Sequence, residues 1–211
     1  MGIIRVGKPS VTKGGCVTTR FIACAMACAL TVFCAVPQAR SDQMKEASCS
    51  SIELKYSGEG TTKCYFYDDQ GNQTETISQR IVVKTDSYEF VVSHTASKFR
   101  TYLLLQPVRS VITGQYFTST DNWQPVEKYG GFELAAFNGY ESSGSQPVLC
   151  VGFARFSGNP GNYEFDAGVG YKNLADGVYC AFSGQAALAS PIDNFYHVVE
   201  DALNKVTFPA D

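Results

Sequence analysis

Short segments in which apolar and polar residues alternate recur along the chain from residue 51 to residue 184, and they limit the fold more than any other feature. The segment NYEFDAGVGY (162–171) is the clearest example, because its aromatic and aliphatic residues occupy every second position. A period of two is typical of an antiparallel strand with one buried and one polar face. We therefore predict strands at 51–56, 63–69, 75–85, 87–94, 98–106, 111–120, 131–139, 147–158, 162–171 and 178–184.

Turn-forming residues separate several of these segments. Gly, Asn, Asp and Pro cluster at 69–72 and at 158–162, and the pair Asp176-Gly177 precedes the last predicted strand. Gly and Asn favour turns because they tolerate positive φ, and Pro favours them because its own φ is fixed. The segment 98–106 has no clear period, so a helix is the alternative there.

The C-terminal segment carries the pattern of an amphipathic helix. Ser190 is a suitable N-cap, Pro191 fits the first helical position and Asp193 suits the helix dipole. The apolar stripe that follows at helical spacing comprises Ile192, Phe195, Val199, Ala202, Leu203 and Val206. We predict an α+β domain in which seven to nine mainly antiparallel strands form a sheet and this helix packs on it. A closed antiparallel β-barrel with an outer C-terminal helix is the alternative.

The N-terminal segment has the features of a secretory signal. The apolar run 21–36 is 16 residues long, whereas a membrane-spanning helix needs about 20. Four basic residues precede this run, and no acidic residue occurs before Asp42. We predict that a signal peptide, 1–41, is removed after Ser41 or after Ala39 and that 42–211 forms a single domain in the periplasm or outside the cell. An uncleaved anchor and lipidation of a leader cysteine fit the sequence less well.

The charge of the remaining chain argues against nucleic acid as a partner. Five of the 17 basic residues lie in 1–41, so 12 remain against 20 acidic residues and the formal charge is −8. Nucleic-acid binding depends on basic residues that neutralise phosphates, and no basic cluster is present. A strongly acidic surface keeps a protein soluble and is compatible with cationic partners.

Cys49, Cys64, Cys150 and Cys180 are the cysteines that remain after residue 41. An even number of cysteines in an exported chain predicts disulfides. We expect the pairs Cys49–Cys64 and Cys150–Cys180, because closing a loop between cysteines that are near in sequence costs little entropy. No CxxC pair occurs among them, so we predict no metal site, and no cofactor motif is present.

Motifs of the common enzyme classes are missing. The sequence has no GxSxG, P-loop, HExxH or GxGxxG pattern, and we expect His94 and His197 to be structural. A Ser/His/Asp triad assembled by the fold, or the carboxylate pair Glu164 and Asp166, would make the protein a secreted hydrolase, which is the alternative function. Asp68 begins a run of oxygen-bearing residues that lacks the acidic twelfth ligand of a calcium loop, so we expect a turn there.

Aromatic residues give the most specific indication of a binding surface. Tyr65 and Tyr67 flank Phe66 on one predicted strand, so they face the side opposite to Phe66. If Phe66 is in the core, the two tyrosines are exposed to a ligand. Trp123 and Tyr129 lie in a polar segment that we expect to be a long loop, and long loops on a rigid scaffold often carry function.

We therefore predict an exported, non-enzymatic protein that binds a small ligand or an envelope protein through aromatic loops. The predicted ligand contacts are Trp123, Tyr129, Tyr65 and Tyr67. A structural or assembly component of the cell envelope is a further alternative.

Overall fold

The computed structural model describes residues 44–68, 76–98, 103–117, 119–140, 148–158, 160–162, 169–182 and 192–210. The strands are β1 (Lys45–Ala47), β2 (Lys55–Tyr56), β3 (Thr61–Asp68), β4 (Thr76–Lys84), β5 (Tyr88–Ser97), β6 (Leu103–Leu104), β7 (Ser119–Asp121), β8 (Glu127–Tyr129), β9 (Phe132–Tyr140), β10 (Val148–Ser157), β11 (Gly161–Asn162), β12 (Val169–Tyr171), β13 (Asn173–Ala181) and β14 (Val206–Thr207). The helices are α1 (Val108–Gln115) and α2 (Ile192–Asn204). Within these ranges, neither helix is long and apolar enough to cross a bilayer.

Nine of the described strands form one antiparallel sheet. Its order is β1-β3-β4-β5-β13-β10-β9-β7, and β8 also pairs with β9. The order runs from one edge strand to the other, so the sheet is open and the closed-barrel alternative is wrong. The predicted α+β fold, a mainly antiparallel sheet with a C-terminal helix, is confirmed. The remaining strands form the smaller groups β11-β12-β6 and β14-β2.

Each face of the sheet carries one helix, and we name the faces after them. On the α2 face, Phe195, Val199 and Leu203 of α2 pack into one apolar core. On the α1 face, Val108, Val111 and Ile112 of α1 belong to a second core. Because successive residues of a strand face opposite sides, the central strands are buried on both faces. Strand β13 is buried at eight of its nine positions for this reason.

The predicted disulfides Cys49–Cys64 and Cys150–Cys180 are confirmed. The first attaches the N-terminal segment to β3, and the second joins directly paired positions of β10 and β13. The alternation also predicts a strand at 162–171, between β10 and β13 in sequence, whereas β10 and β13 pair directly with each other in the sheet. The chain between them contributes β11 and β12 to the smaller sheet, while residues 163–168 lie outside the described residues.

The first half of the strand predicted at 111–120 belongs instead to helix α1, and its last two residues begin β7. Its β-branched residues favour a strand by local propensity. However, Val108, Val111 and Ile112 also follow helical spacing, and in the structure all three are buried against the sheet. Tertiary burial of this stripe outweighs the local propensity, and Pro107 precedes the first helical residue.

The turn predicted at Asp176-Gly177 is also wrong, because both residues lie in the middle of β13. Gly177 has a packing role: a Cβ atom there would lie 2.5 Å from Cζ of the Phe153 ring on the neighbouring strand. Glycine in a strand interior often marks such a close approach. Asp176 faces the opposite side, where it is buried under helix α1.

Buried and exposed residues alternate along the segment 51–56 as predicted, but most of the segment is not a strand. Ile52 and Leu54 are buried in the core of the α2 face, whereas only Lys55–Tyr56 pairs, with β14. The backbone N–H groups of Glu53 and Leu54 both donate to Oε1 of Gln79, at 2.8 Å each. One side-chain amide therefore replaces the strand partner that these backbone groups would otherwise need.

The C-terminal helix is confirmed over Ile192–Asn204. Val206, predicted as part of its stripe, belongs instead to β14. The predicted cap residues Ser190 and Pro191 lie outside the described residues.

Replacing Gln79 by Met tests the attachment of the N-terminal segment. The variant removes the acceptor of two backbone N–H groups, so we expect the free energy of unfolding to fall by about 2 kcal/mol. Gln79→Glu keeps an oxygen acceptor at the same place, so its free energy of unfolding should fall by less. Urea unfolding followed by circular dichroism measures both effects. Equal stability of Gln79→Met and the wild type would contradict the assignment.

Candidate functional site

A row of buried polar residues crosses three central strands on the α1 face. Arg80 of β4 pairs with Ser93 of β5, and Ser93 pairs with Asp176 of β13. Directly paired residues of neighbouring strands face the same side of the sheet. The exposed fractions of Arg80, Ser93 and Asp176 are only 7%, 3% and 1%. Polar groups this deeply buried need hydrogen-bond partners.

Tyr116, which directly follows helix α1, completes a chain of hydrogen bonds with this row. Nε of Arg80 donates to Oγ of Ser93 at 2.9 Å, and the Tyr116 hydroxyl donates to Oδ2 of Asp176 at 2.6 Å. The Ser93 and Tyr116 oxygens lie 3.0 Å apart. Because the single hydroxyl proton of Tyr116 is directed at Asp176, Ser93 must be the donor to Tyr116. The four residues therefore form one directional chain from Arg80 to Asp176.

The surroundings of Tyr116 keep its hydroxyl protonated. Burial raises the pKa of Tyr116 well above its ordinary value, and the negative charge of Asp176 raises it further. Arg80 opposes this shift in pKa, with its guanidinium carbon 5.3 Å from the centre of the Tyr116 ring. At physiological pH Tyr116 is therefore a fixed hydrogen-bond donor that ties α1 to the sheet.

A small pocket opens beside Arg80, and we call it the Arg80 pocket. Its lining comprises Met44, Tyr67, Thr76, Ser78, Arg80, Ser93, Thr95 and Gln115. Water-sized molecules have about 30 Å³ of space in it, which corresponds to roughly two waters. The hydroxyls of Ser78 and Thr95, on paired positions of β4 and β5, lie 3.0 Å apart. Seven of the eight lining side chains carry hydrogen-bonding groups.

The guanidinium of Arg80 is only partly satisfied by the protein. In the described parts of the chain, Nε has an acceptor in Ser93, and the other N–H groups of the guanidinium have none. No carboxylate oxygen of the described residues lies within 4.0 Å of it. A buried positive charge therefore lines the pocket with donors to spare.

The four predicted ligand contacts do not come together in one place. Tyr67 lines the Arg80 pocket, and Tyr65 faces the same side of the sheet at the position paired with Arg80. Trp123 also lies on the α1 face, where its ring stacks on Phe137 with centroids 4.2 Å apart. Tyr129 packs on the α2 face and exchanges hydrogen bonds with Asn204.

Trp123 is held in place more firmly than the prediction of an exposed loop residue implies. Its Nε1 donates to Oγ1 of Thr120, and the guanidinium of Arg109 lies 5.8 Å from the ring centre. Its polar segment contains the short strands β7 and β8 rather than one long loop. Trp123 therefore covers the apolar part of the α1 face.

Neither histidine is placed beside Ser93 and Asp176. His94 follows Ser93 in β5 and so faces the α2 side, where its ring centre is 6.5 Å from that of Phe208. His197 is an exposed residue of α2, with Nδ1 2.9 Å from Oε2 of Glu200. The predicted carboxylate pair 164 and 166 lies outside the described residues. A search of the described residues finds no group of three or more side chains suited to a metal ion.

The sequence prediction missed Arg80, Ser93, Tyr116 and Asp176. A signal for the pocket is nevertheless present in β4, where Thr76, Ser78 and Arg80 occupy every second position. Strand β5 continues it with Ser93 and Thr95. A polar stripe on a strand is usually read as a solvated face, but here two adjacent strands contribute stripes to the same buried face.

Comparisons of the chain with protein-family models, curated proteins and solved structures found no match. The chemistry of the Arg80 pocket and of the residues around it is therefore the basis for the proposed function.

Tyr116→Phe tests the chain of hydrogen bonds. It removes the hydroxyl that donates to Oδ2 of Asp176, so we expect the free energy of unfolding at pH 7 to fall by about 2 kcal/mol. The raised pKa of Tyr116 gives stability that is fully present below pH 10, the ordinary tyrosine value, and is lost as the pH rises above it. Above pH 10, the free energy of unfolding of the variant should therefore fall less steeply with pH than that of the wild type. The difference in slope is up to about 1.4 kcal/mol per pH unit.

Denaturant unfolding at several pH values between 7 and 11 would measure both effects. Tyr65→Phe is the control, since it removes a phenol on the same face that is outside the chain. If Tyr116→Phe and Tyr65→Phe had the same stability at every pH, the assigned role of Tyr116 would be wrong.

Proposed function

We propose that the domain is a non-enzymatic binding protein that takes up a small polar ligand in the Arg80 pocket. The observation that carries this proposal is the lining: a buried guanidinium and several hydroxyls surround a space of about 30 Å³. A concave site with a few convergent polar groups favours a small molecule. A protein partner would instead favour a broad exposed patch.

The chemistry of the lining favours binding over catalysis. A general acid or base works best when its pKa lies near the operating pH. Burial holds the pKa of Tyr116 far above that range, and the described lining contains no histidine or cysteine. Hydrolysis would need a nucleophile activated by a nearby base. Ser93 has no such base, because its hydroxyl accepts from Arg80 and donates to Tyr116.

We further propose that residues 1–41 are a secretory signal and that the domain acts in the periplasm or outside the cell. The disulfides Cys49–Cys64 and Cys150–Cys180 support this proposal. Disulfides form and persist in oxidising compartments and are rare in the cytosol.

The intact mass of the protein from its native host tests the export proposal. We expect a mass that begins near Asp42, with four cysteines that react with an alkylating agent only after reduction. Cysteines that react without reduction, or a mass that includes residues 1–41, would contradict it.

Variants of two tyrosines test the binding site. In an NMR screen of sugars, amino acids, organic acids and their amides, we expect hits to shift the backbone amides of Ser78, Arg80 and Thr95. Tyr67→Ala removes a lining side chain and should weaken binding by about tenfold. Tyr65→Ala is the matched control on the same strand face and should have little effect. Hits that shift none of these three amides, or that bind Tyr67→Ala as tightly as the wild type, would argue against this pocket.

A further inference from the structure

The charge of Arg80 is the feature of the pocket that no carboxylate of the described residues balances with an ion pair. The side chain is more than nine-tenths buried, and it lines the pocket. Its Nε alone has an acceptor among the described residues. Buried charges in proteins are normally paired, because removing a charge from water without a partner is costly. Because the remaining N–H groups border the pocket, the imbalance points to an anionic group bound there.

The nearest carboxylates along the sheet do not substitute for that group. Asp176 and Glu46 lie in the same row of paired residues as Arg80, each two strands away on opposite sides. At the usual strand spacing their Cα atoms are about 10 Å from that of Arg80. Asp176 already accepts the hydroxyl proton of Tyr116. These charges offset Arg80 at a distance, but neither makes an ion pair with it.

The hydroxyls of the pocket add donors for an anion. Ser78 and Thr95 share one hydrogen bond, so one of their two protons stays available to a ligand. Ser93 contributes none, because its proton goes to Tyr116. The free N–H groups of the guanidinium form a planar fork that matches two oxygens of one group. An oxyanion is therefore the group that these donors fit.

We infer that the ligand of the Arg80 pocket carries a carboxylate, which pairs with the Arg80 guanidinium and accepts a hydrogen bond from Ser78 or Thr95. This inference rests on the proposed binding function. A single negative charge fits best, because one guanidinium of the described residues faces the pocket while Asp176 and Glu46 oppose a second negative charge. The space of about 30 Å³ suits a carboxylate, and Met44 and Tyr67 offer apolar surface to the rest of the ligand.

Acetate and acetamide separate the effect of charge from that of shape, because the two molecules have nearly the same size. We would titrate the protein with each at pH 7 and low ionic strength and follow the backbone amides of Ser78, Arg80 and Thr95 by NMR. Acetate should bind at least about tenfold more tightly than acetamide. Sulfate, a dianion, should bind more weakly than acetate, whereas tighter sulfate binding would overturn the carboxylate assignment.

Arg80→Gln removes the charge and should weaken acetate binding by about 10- to 100-fold. The double variant Ser78→Ala/Thr95→Val keeps the charge, removes both hydroxyl donors and should weaken acetate binding by only a few fold. This variant serves if Arg80→Gln does not fold. Thr113→Ala is the control, because Thr113 is an exposed residue of α1 outside the pocket lining.

The outcomes separate this inference from the proposed function. Equal affinity for acetate and acetamide, or full retention of acetate binding in Arg80→Gln, would overturn the anionic assignment while leaving a binding pocket. Full retention in the double variant Ser78→Ala/Thr95→Val would remove the hydroxyls from the assignment. If neither acetate nor any neutral molecule of the screen shifted the pocket amides, both the inference and the proposed function would be wrong.

Discussion

The central strands of this open sheet carry buried residues on both faces, so both faces must be covered. The organisation of the domain depends on how unequally they are covered. The eight strands in the sheet order span about 34 Å at the usual spacing. Helix α2 is about 20 Å long and α1 only about 12 Å. On the α2 face, Ile52, Leu54 and Phe208 extend the cover that α2 provides. On the α1 face, apolar cover is concentrated over β13, β10 and β9, and the hydroxyl-lined pocket lies over β4 and β5.

Burying the polar row lowers the stability of the fold, and this cost indicates that the row has another role. Continuum calculations and mutational data on other proteins indicate that well-packed apolar residues often replace a buried charge without loss of stability, or with a gain. The opposite face shows that this chain builds such a core, since Phe90, Val92 and Ile81 are buried there on the same strands, β4 and β5. Arg80, Ser93 and Thr95 therefore need a reason other than stability, and the proposed ligand provides one. It would use donors of Arg80 and Thr95, while Ser93 orients the guanidinium of Arg80.

The parts of the structure that follow from local pattern could be predicted from the sequence. The antiparallel sheet follows from residue alternation, helix α2 from its apolar stripe and the disulfides from sequence proximity. The errors occur where contacts between residues far apart in sequence determine the structure. Asp176-Gly177 has the composition of a turn, but Phe153 and Tyr116 determine its place in a strand. The pocket was missed because a polar stripe on one strand does not reveal whether a helix and neighbouring strands will bury it.

The composition of the hydrogen-bond chain distinguishes a structural role from a binding role. Docking of helix α1 is explained by its buried apolar stripe together with the bond from Tyr116 to Asp176, and it does not need Arg80. If the purpose of Arg80 were to neutralise Asp176, the position paired with Asp176 would allow a direct ion pair, yet that position holds Ser93. Arg80 lies one strand further away, where Ser93 orients its Nε and the rest of the guanidinium borders the pocket. Helix docking thus accounts for Tyr116 and Asp176, and the proposed ligand would account for the placement of Arg80 and Ser93.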